Sequence, residues 1–386
     1  MTSAAGSAPA IRFVLIIWLA ATLLIAALVV LLPLHLEALG FDVDATAIAV
    51  GAAGVGGVLS AEPIGRLANR LGSVRLIRLG IVVMATSVVA IGLLEQLWAF
   101  VALHALIGVG TAAVRVGAQM VVRNQVTDER RGRVHGTQGL MTRIVSLLVP
   151  VGIGFLWEQR GAEPSFIVPA LLAGAGLLLT AHVGFESPAP PPDGDHDNPF
   201  TVRSMLRIAT GPILFQAARG GRMLLLPLIG LEIGLSPGRI GLLVGLTAAA
   251  DVLVSPISGP VMDGRGRLAT IVPSFSLMAL GFVLLGLGGG WLLIAAAIVL
   301  GIGNGLSSGL LLTLGSDLAP ADREGQFLGR FGALNDIGRL IGPFLVGVLG
   351  RLLGLEAAAF SLAVVAVAAL ACVLLFIGET RPAPAA

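Results

Sequence analysis

Long apolar stretches, separated by short polar ones, run along the whole chain and predict its secondary structure. An α-helix needs about 20 apolar residues to cross a lipid bilayer. Twelve stretches reach that length, near residues 12–34, 44–64, 76–94, 97–122, 136–157, 165–184, 204–230, 238–261, 270–288, 291–314, 326–350 and 355–377. The pattern therefore predicts an all-α membrane protein with twelve transmembrane helices. We expect the first stretch to be retained, because it exceeds the apolar core of a signal peptide and no small-residue cleavage site follows it.

Glycine and proline positions of the first half recur in the second half. At an offset of 193 residues, Gly108, Gly110, Gly132, Gly136, Gly139, Pro150 and Gly154 return as Gly301, Gly303, Gly325, Gly329, Gly332, Pro343 and Gly347. At an offset of 194 residues, Gly65 and Gly72 return as Gly259 and Gly266. This repeat predicts two six-helix bundles related by pseudo-two-fold symmetry, the architecture of many secondary transporters. We place the N-terminal bundle at residues 1–184, a cytoplasmic linker at 185–203 and the C-terminal bundle at 204–386.

Composition supports the membrane assignment and excludes several functions. Hydrophobic residues make up 56% of the chain, charged residues 12%, and the mean hydropathy is +0.96. A soluble domain carries about twice that charge. All 24 basic residues are arginine, so the lysine of an ATP-binding P-loop is missing and ATP-driven transport is excluded. The five histidines are scattered and Cys372 is the single cysteine, so we expect no metal, no cofactor, no enzymatic activity and no nucleic-acid partner.

The distribution of arginine predicts the orientation in the membrane. If the N-terminus is cytoplasmic, sixteen arginines lie in inner loops and tails, namely Arg12, Arg66, Arg70, Arg75, Arg78, Arg123, Arg130, Arg131, Arg133, Arg203, Arg207, Arg265, Arg267, Arg323, Arg330 and Arg381. Three lie in outer loops, namely Arg160, Arg239 and Arg351. Positive residues concentrate on the cytoplasmic side of membrane proteins. We therefore expect both termini to be cytoplasmic, in the inner (plasma) membrane.

Ionisable residues inside the predicted helices are the candidate chemistry, because a charge near the bilayer centre is costly and normally faces a cavity or a partner. With a rise of about 1.5 Å per residue, Asp251 and Asp336 fall near mid-depth. Asp251 is our first candidate for a proton-coupling acid and Asp336 the second. The alternative is that Asp251 only neutralises Arg219 or Arg222.

Further polar residues are candidates for the wall of a substrate cavity. His104, Gly108, Thr111, Arg115 and Gln119 form one stripe along the fourth predicted helix. The candidate cavity residues are His104, Thr111, Arg115, Arg143, Gln216, Arg219, Arg222, Asn304 and Arg339. Five arginines against two aspartates favour an anionic substrate. The alternative for Asp336 and Arg339, three residues apart, is a structural ion pair.

Two loops resemble a family signature. The segment Gly65-Arg66-Leu67-Ala68-Asn69-Arg70-Leu71-Gly72 resembles the Gly-x-x-x-Asp-Arg-x-Gly loop of the major facilitator superfamily. The segment Gly259-Pro260-Val261-Met262-Asp263-Gly264-Arg265-Gly266-Arg267 retains the aspartate that Asn69 replaces. The resemblance covers nearly the whole chain and implies a conformational latch that comprises Gly65, Asn69, Arg70, Gly72, Gly259, Asp263, Gly266 and Arg267.

A further element resembles the drug:proton antiporters of that family. Val149-Pro150-Val151-Gly152-Ile153-Gly154 is similar to their Gly-Pro-x-x-Gly-Gly element, and Pro343 and Gly347 repeat its proline and last glycine. We expect these residues to bend or closely pack their helices.

The resemblance implies a monomeric, proton-coupled transporter that works by alternating access and exports small organic molecules. Its partners are the solute, protons and the lipid bilayer. The alternatives are a transporter of organic anions, by uptake symport or exchange, and a non-transporting, receptor-like member of the fold.

Overall fold

The computed structural model describes residues 7–183, 202–320 and 324–381, and thirteen α-helices occur within them. Residues 185–201 of the predicted linker lie outside the described residues. The helices are α1 (Ser7–Ala38), α2 (Val43–Leu71), α3 (Ser73–Leu93), α4 (Leu97–Gln125), α5 (Asp128–Arg160), α6 (Ala162–Leu179), α7 (Val202–Glu232), α8 (Pro237–Arg265), α9 (Leu268–Leu287), α10 (Gly290–Leu306), α11 (Leu310–Leu318), α12 (Glu324–Leu353) and α13 (Leu355–Phe376).

One predicted helix is divided in the structure. The stretch predicted at 291–314 consists of α10 and the short α11, separated at Ser307–Gly309. Gly309 has a φ of +75°, a left-handed conformation that favours glycine. The Ser258 hydroxyl lies 2.6 Å from the carbonyl oxygen of Leu306 and 3.0 Å from that of Ser308, so its single proton is shared between two carbonyls where the helix ends. The twelve predicted segments therefore correspond to thirteen helices.

Ten stretches of the described residues are long and apolar enough to cross a membrane, and α10 and α11 together form one of them. The two remaining long helices are α7 and α12. Each carries charged residues in its middle, Arg219 and Arg222 in α7 and Asp336 and Arg339 in α12, and these lower its hydropathy. The two helices that fall short are therefore among those for which the sequence predicts charges inside the membrane, whereas α4, α5 and α8 carry such charges and still qualify.

The chain divides into two compact units. Unit 1 contains the described residues of Met1–Phe41, Ala49–Asp195 and Ser236–Gly241. Within it α1 packs against α5 and α6, and α3 packs against α4 and α6. The core of unit 1 includes the fully buried side chains of Phe13, Phe100 and Phe166.

Unit 2 contains the described residues of Asp42–Ile48, His196–Leu235 and Leu242–Ala386. Within it α7 packs against α12 and α13, and α9 packs against α10 and α13. Phe215 of α7 and Phe275 of α9 stack with their ring centroids 3.7 Å apart, and both rings are buried. This stack joins α7 to α9.

Glycines bring pairs of helix backbones into direct contact. In unit 1, Gly108 of α4 packs against the carbonyl of Ala53 in α2. In unit 2, Gly301 of α10 packs against the carbonyl of Thr247 in α8. These contacts are equivalent in the repeat, because Gly108 and Gly301 are 193 residues apart and Ala53 and Thr247 are 194 apart. Small residues at such crossings let membrane helices approach closely. The crossing in unit 2 places polar side chains of α8 beside α10.

The predicted helix-bending residues lie in α5 and α12, and both helices continue through their prolines. Within unit 1, Gly154 of α5 packs against the carbonyl of Pro237 at the start of α8. Within unit 2, Gly347 of α12 packs against Ala47 of α2. Both glycines therefore act in close helix packing, and bending at Pro150 and Pro343 stays a prediction.

Candidate functional site

The central feature of unit 2 is a hydrogen bond between an acid and an amide inside membrane-spanning helices. The Asn304 side-chain nitrogen Nδ2 in α10 donates to Oδ2 of Asp251 in α8, at 2.8 Å. Asn304 is 6% exposed and Asp251 is half-buried. The close approach of the helices makes this pair possible, because a Cβ atom on Gly305 would lie 2.7 Å from the carbonyl oxygen of Asp251. Both residues belong to the predicted site, and the structure brings them together.

The neighbouring hydroxyl groups on α8 are bonded elsewhere. Thr247 and Ser255, one turn to either side of Asp251, donate to the carbonyls of Leu243 and Val252 in their own helix. Asn304 contributes the amide hydrogen bond to Asp251, while its own side-chain oxygen Oδ1 is buried and has no hydrogen-bond partner within the described residues. An unpaired acceptor of this kind is costly in a low-dielectric surrounding.

Helix α7 adds positive charge to this region. Arg222 is half-buried, and one of its terminal nitrogens donates to the carbonyl of Leu300 in α10 at 3.4 Å. It also interacts electrostatically with Asp251. One turn earlier, Arg219 is half-buried and donates to the side-chain oxygen of the buried Gln216 at 3.1 Å. An acid, an amide and an arginine from three helices thus meet at one place in unit 2.

The other predicted arginines and the second acid lie on other helices. Asp336 of α12 is half-buried, whereas Arg339 of the same helix is exposed. Arg115 of α4 and Arg143 of α5 are half-buried within unit 1.

In unit 1 the candidate polar residues bind backbone carbonyls. A ring nitrogen of His104, Nδ1, donates to the carbonyl of Ala49 in α2 at 2.7 Å, and the side chain is buried. The Thr111 hydroxyl donates to the carbonyl of Ile107 in its own helix at 2.8 Å. His104 therefore connects α4 to α2, and this bond accounts for its burial without any substrate.

The predicted latch loop of unit 2 forms a set of charge-assisted hydrogen bonds. Arg267 is buried, and it donates to both carboxylate oxygens of Asp317 at 2.8 and 3.3 Å, to Asp263 at 3.2 Å and to the carbonyl of Met262 at 2.9 Å. The Asp317 hydrogen bonds hold the pKa of Arg267 above its ordinary value. Gly266 has a φ of +98° and makes the turn before Arg267.

The chain segment after α13 completes this set, and we name Arg267, Asp317, Glu379 and Thr380 the inner clasp. The Glu379 carboxylate accepts hydrogen bonds from the backbone N–H groups of Arg267 and Leu268, at 2.8 and 3.0 Å. The Thr380 hydroxyl donates to Asp317 at 2.8 Å. Sequence reasoning found Arg267 but missed Asp317 and Glu379. In the sequence, Asp317 is an acid that follows the apolar stretch predicted at 291–314, and Glu379 is an acid that follows the final stretch at 355–377. Nothing else in the sequence indicated them.

Burial acts to raise the pKa of the Glu379 carboxyl, but the backbone hydrogen bonds from Leu268 and Arg267 outweigh it. They hold the pKa below the ordinary value of 4.5. A carboxylate at the start of α9 is also favoured by the helix dipole. Glu379 therefore acts as a cap for α9.

The corresponding loop of unit 1 is held differently. Gly72 makes the same turn with a φ of +78°, Arg70 is exposed, and the Asn69 side chain lies outside the described residues. Arg66 pairs with Glu62 on the exposed surface of α2. Arg78 of α3 donates to the carbonyls of Thr180, Ala181 and Val183 at the end of α6, at 2.6, 3.0 and 2.8 Å.

Twelve membrane-length helical segments, with charged and amide side chains meeting inside unit 2, define a multi-pass membrane transporter. The sequence matches the family model of the Major Facilitator Superfamily over residues 14–217 and 208–386. The chain belongs to this family, and the predicted membership is confirmed.

Two sequence relatives support this assignment. The Multidrug resistance protein MdtG of Citrobacter koseri is 25% identical over 316 residues, which cover 76% of this chain and 75% of the relative. The Tetracycline resistance protein, class H, of Pasteurella multocida is 32% identical over 111 residues, which span 28% of each chain. Both are resistance proteins, in keeping with the predicted antiporter branch.

The solved structures show the same fold at low sequence identity. The nucleoside transporter NupG matches with a TM-score of 0.79 and 12% identity, over 95% of this chain and all of that chain (100%). A bacterial homolog to the human lysosomal transporter Spinster matches with a TM-score of 0.77 and 13% identity, over 99% of this chain and 100% of that one.

Proposed function

We propose that this protein is a proton-coupled secondary active transporter that exports small organic molecules from the cell in exchange for protons. It works by alternating access in the inner membrane, with both termini in the cytoplasm. The match to MdtG, named a multidrug resistance protein, over three quarters of both chains supports export. The predicted division into bundles at residues 1–184 and 204–386 is part of this proposal.

The observation that carries the proposal is the hydrogen-bonded pair of Asp251 and Asn304. A carboxylic acid within a membrane-spanning helix is expensive and generally serves an ion or substrate pathway. Asp251 is half-buried, so its carboxylate lies within the protein and is still partly accessible to small species. It is therefore our proposed proton carrier.

Protonation of Asp251 changes the electrostatics of its surroundings. The negative carboxylate attracts Arg222, and a bound proton removes that attraction. The energy of α7 and α8 in a given conformation then depends on whether the proton is bound. A ligand or proton shifts a conformational equilibrium only when it interacts differently with the two states, and this difference satisfies that condition.

The inner clasp and its loop are the proposed conformational latch. Arg267 joins the start of α9 to the end of α11 through Asp317, and it bonds the last turns of α8 through Met262 and Asp263. Gly259 lies within α8, and Gly266 makes the turn that follows this helix. In unit 1, Gly65, Asn69 and Arg70 lie in the last turns of α2 and Gly72 makes the turn after it, so the predicted loops are largely helical. All of these residues remain proposed latch residues.

The test is solute-driven proton flux in proteoliposomes loaded with a pH-sensitive dye, with a panel of cationic, neutral and anionic solutes. We expect Asp251→Asn to reduce the flux by more than about tenfold, because the amide cannot carry the proton. Asp336→Asn tests the second acid under the same conditions. Asp42→Asn is the matched control, since Asp42 is an exposed acid at the start of α2.

Each outcome has a distinct meaning. Flux that is lost in Asp251→Asn and kept in Asp42→Asn supports the proposal. Flux that is lost only in Asp336→Asn moves the proton carrier to α12. Wild-type protein that moves no protons with any solute, although it is folded and correctly inserted, contradicts proton coupling.

Transport of organic anions is the second candidate function. The half-buried Arg219 and Arg222, on one helix, favour it because guanidinium groups bind anions through charge-assisted hydrogen bonds. Arg115, Arg143 and Arg339 add further guanidinium groups in the chain as a whole. Preferential flux with anionic solutes, weakened at least about tenfold by Arg222→Gln, would support this candidate over export of cationic or neutral solutes.

A further inference from the structure

We propose that Asn304 is the positioning residue that keeps Asp251 hydrogen-bonded in both of its protonation states, by turning its side-chain amide over. The inference rests on the proposed function, because it assigns Asn304 a role in proton binding at Asp251. The nitrogen and the oxygen of the Asn304 side-chain amide have different surroundings. Nδ2 donates to the Asp251 carboxylate at 2.8 Å, while Oδ1 is buried without a partner within the described residues.

A deprotonated carboxylate accepts hydrogen bonds only, whereas a protonated one also donates through its O–H. The present arrangement suits the deprotonated form, because the amide donates and the carboxylate accepts. When a proton binds Asp251, a half-turn of the Asn304 amide about its Cβ–Cγ bond presents Oδ1 to the new O–H donor. The unpaired oxygen then becomes paired, and the two N–H groups move to the side that Oδ1 had occupied.

The other polar side chains near Asp251 cannot form hydrogen bonds with both of its protonation states. Thr247 and Ser255 on α8 donate to carbonyls of their own helix, so their hydroxyl protons are already used. From α7, Arg222 acts on Asp251 through its charge and donates a hydrogen bond to the Leu300 carbonyl. Arg222 can favour only the negative form of the acid, since it has no acceptor. An amide is both donor and acceptor and serves either form.

The backbone around Asn304 is closely packed and hydrogen-bonded, so the inferred movement is that of the side-chain amide. The Ser307 hydroxyl donates to the Asn304 carbonyl at 2.6 Å, and Gly303 and Gly305 pack against neighbouring backbone. With the Cα position held, rotation about the side-chain bond is the remaining freedom. This geometry distinguishes Asn304 from a residue that only fills space.

The experiment is a pH titration of the purified protein by infrared difference spectroscopy, with Asp251→Asn used to assign the carboxyl band of Asp251. We expect the titration midpoint of this band to rise by about one pH unit in Asn304→Leu, because a hydrogen bond to a charged group is stronger than one to a neutral group. In wild type we expect the amide carbonyl band of Asn304 to shift in the same titration. Asn304→Ala removes the amide without added bulk and serves if the leucine variant does not fold.

Asn335→Leu is the matched control. Asn335 is also 6% exposed with an unpaired side-chain oxygen, but it has no hydrogen-bonded carboxylate within the described residues. We expect its variant to leave the Asp251 midpoint unchanged.

An unchanged midpoint in both Asn304 variants would overturn the inference, as would a wild-type protein in which no band assigned to Asp251 titrates. A titrating, Asn304-dependent band in a protein without solute-driven proton flux would support the inference and contradict the proposed function. The two failures are therefore distinguishable.

Discussion

The crossing of α2 with α4 in unit 1 and the crossing of α8 with α10 in unit 2 share their backbone packing and differ in their chemistry. Gly108 meets the carbonyl of Ala53 in unit 1, as Gly301 meets the carbonyl of Thr247 in unit 2. In the sequence repeat, Gly57 of unit 1 is equivalent to Asp251 of unit 2, and Thr111 is equivalent to Asn304. Unit 1 therefore has a glycine and a hydroxyl where unit 2 has an acid and an amide.

This difference shows that the repeat preserves the helix packing of the two crossings, whereas the acid and the amide are present only at the crossing of unit 2. The Thr111 hydroxyl is satisfied by its own helix, at the carbonyl of Ile107. The buried His104 binds the Ala49 carbonyl, and the equivalent carbonyl in unit 2, that of Leu243, accepts from Thr247 instead. The polar groups of the unit 1 crossing are thus bonded to backbone carbonyls, and the proposed proton binding concerns the crossing in unit 2.

The largest effect is expected from breaking the packing that the crossings share. Gly301→Val and Gly108→Val each place a branched side chain against a backbone carbonyl of the facing helix, so the helices must separate. We expect each variant to lower Tm by more than about 8 °C, measured as thermal unfolding in detergent.

Gly57→Ala is the control for this pair. Its added Cβ would lie 3.6 Å from the Gly108 carbonyl oxygen, an ordinary contact, so we expect Tm to change by no more than about 1 °C. If Gly108→Val is tolerated and Gly301→Val is not, the two crossings are unequal in packing and the comparison is wrong.

The two units also differ in the charge of the side chains that bind the ends of their helices. In unit 1 the Arg78 guanidinium binds carbonyls at the end of α6, and in unit 2 the Glu379 carboxylate binds N–H groups at the start of α9. Each charge has the sign that the helix dipole favours at that end. Glu158 and Arg351, which are 193 residues apart, also carry opposite charges, here with the acid in unit 1 and the arginine in unit 2. Glu158 caps the start of α8 through Gly238, and Arg351 pairs with Asp44.

A moderate effect is expected from opening the inner clasp. Arg267→Gln removes the two hydrogen bonds to Asp317 and leaves a largely buried carboxylate without its counter-ion. We expect Tm to fall by about 4–6 °C. Arg265→Gln, on an exposed arginine two residues earlier, should shift Tm by less than about 1 °C. Equal effects of the two variants would show that net charge in the loop, not the clasp, determines stability.

The smallest effect is expected from Glu379, and it depends on pH. Because the folded pKa lies below 4.5, the carboxylate adds stability that is fully present above pH 4.5 and is lost as the pH falls through the folded pKa. We expect Glu379→Gln to lower Tm by about 1–3 °C at pH 7 and the gap from wild type to shrink below pH 4.5. A gap that stays constant with pH would assign the effect to packing.

Much of the fold was predictable from the sequence because long apolar runs directly report membrane helices. The division between α10 and α11 was not, since residues 307–309 lie within an apolar run and the left-handed Gly309 is visible only in the structure. Packing at the repeated glycines could be predicted, but not which backbone each one meets.

The candidate site was predictable residue by residue but not as an arrangement. Charge within a membrane segment identified Asp251 and Arg222. That both residues form hydrogen bonds with α10 depends on how three helices cross. Arg267 followed from the family loop. Its partners Asp317 and Glu379 are 50 and 112 residues away in the chain, and no local pattern connects residues so distant.

The short helix α11 has a mechanical consequence. Its nine residues span about 13 Å, with the break at Ser307–Gly309 at one end and Asp317 at the other. Asn304 lies one turn before the break. A rotation of about 10° at Gly309 would displace Asp317 by about 2 Å, enough to lengthen a 2.8 Å hydrogen bond to Arg267 beyond bonding distance. Such a rotation would couple the helix break near the half-buried Asp251 to the inner clasp.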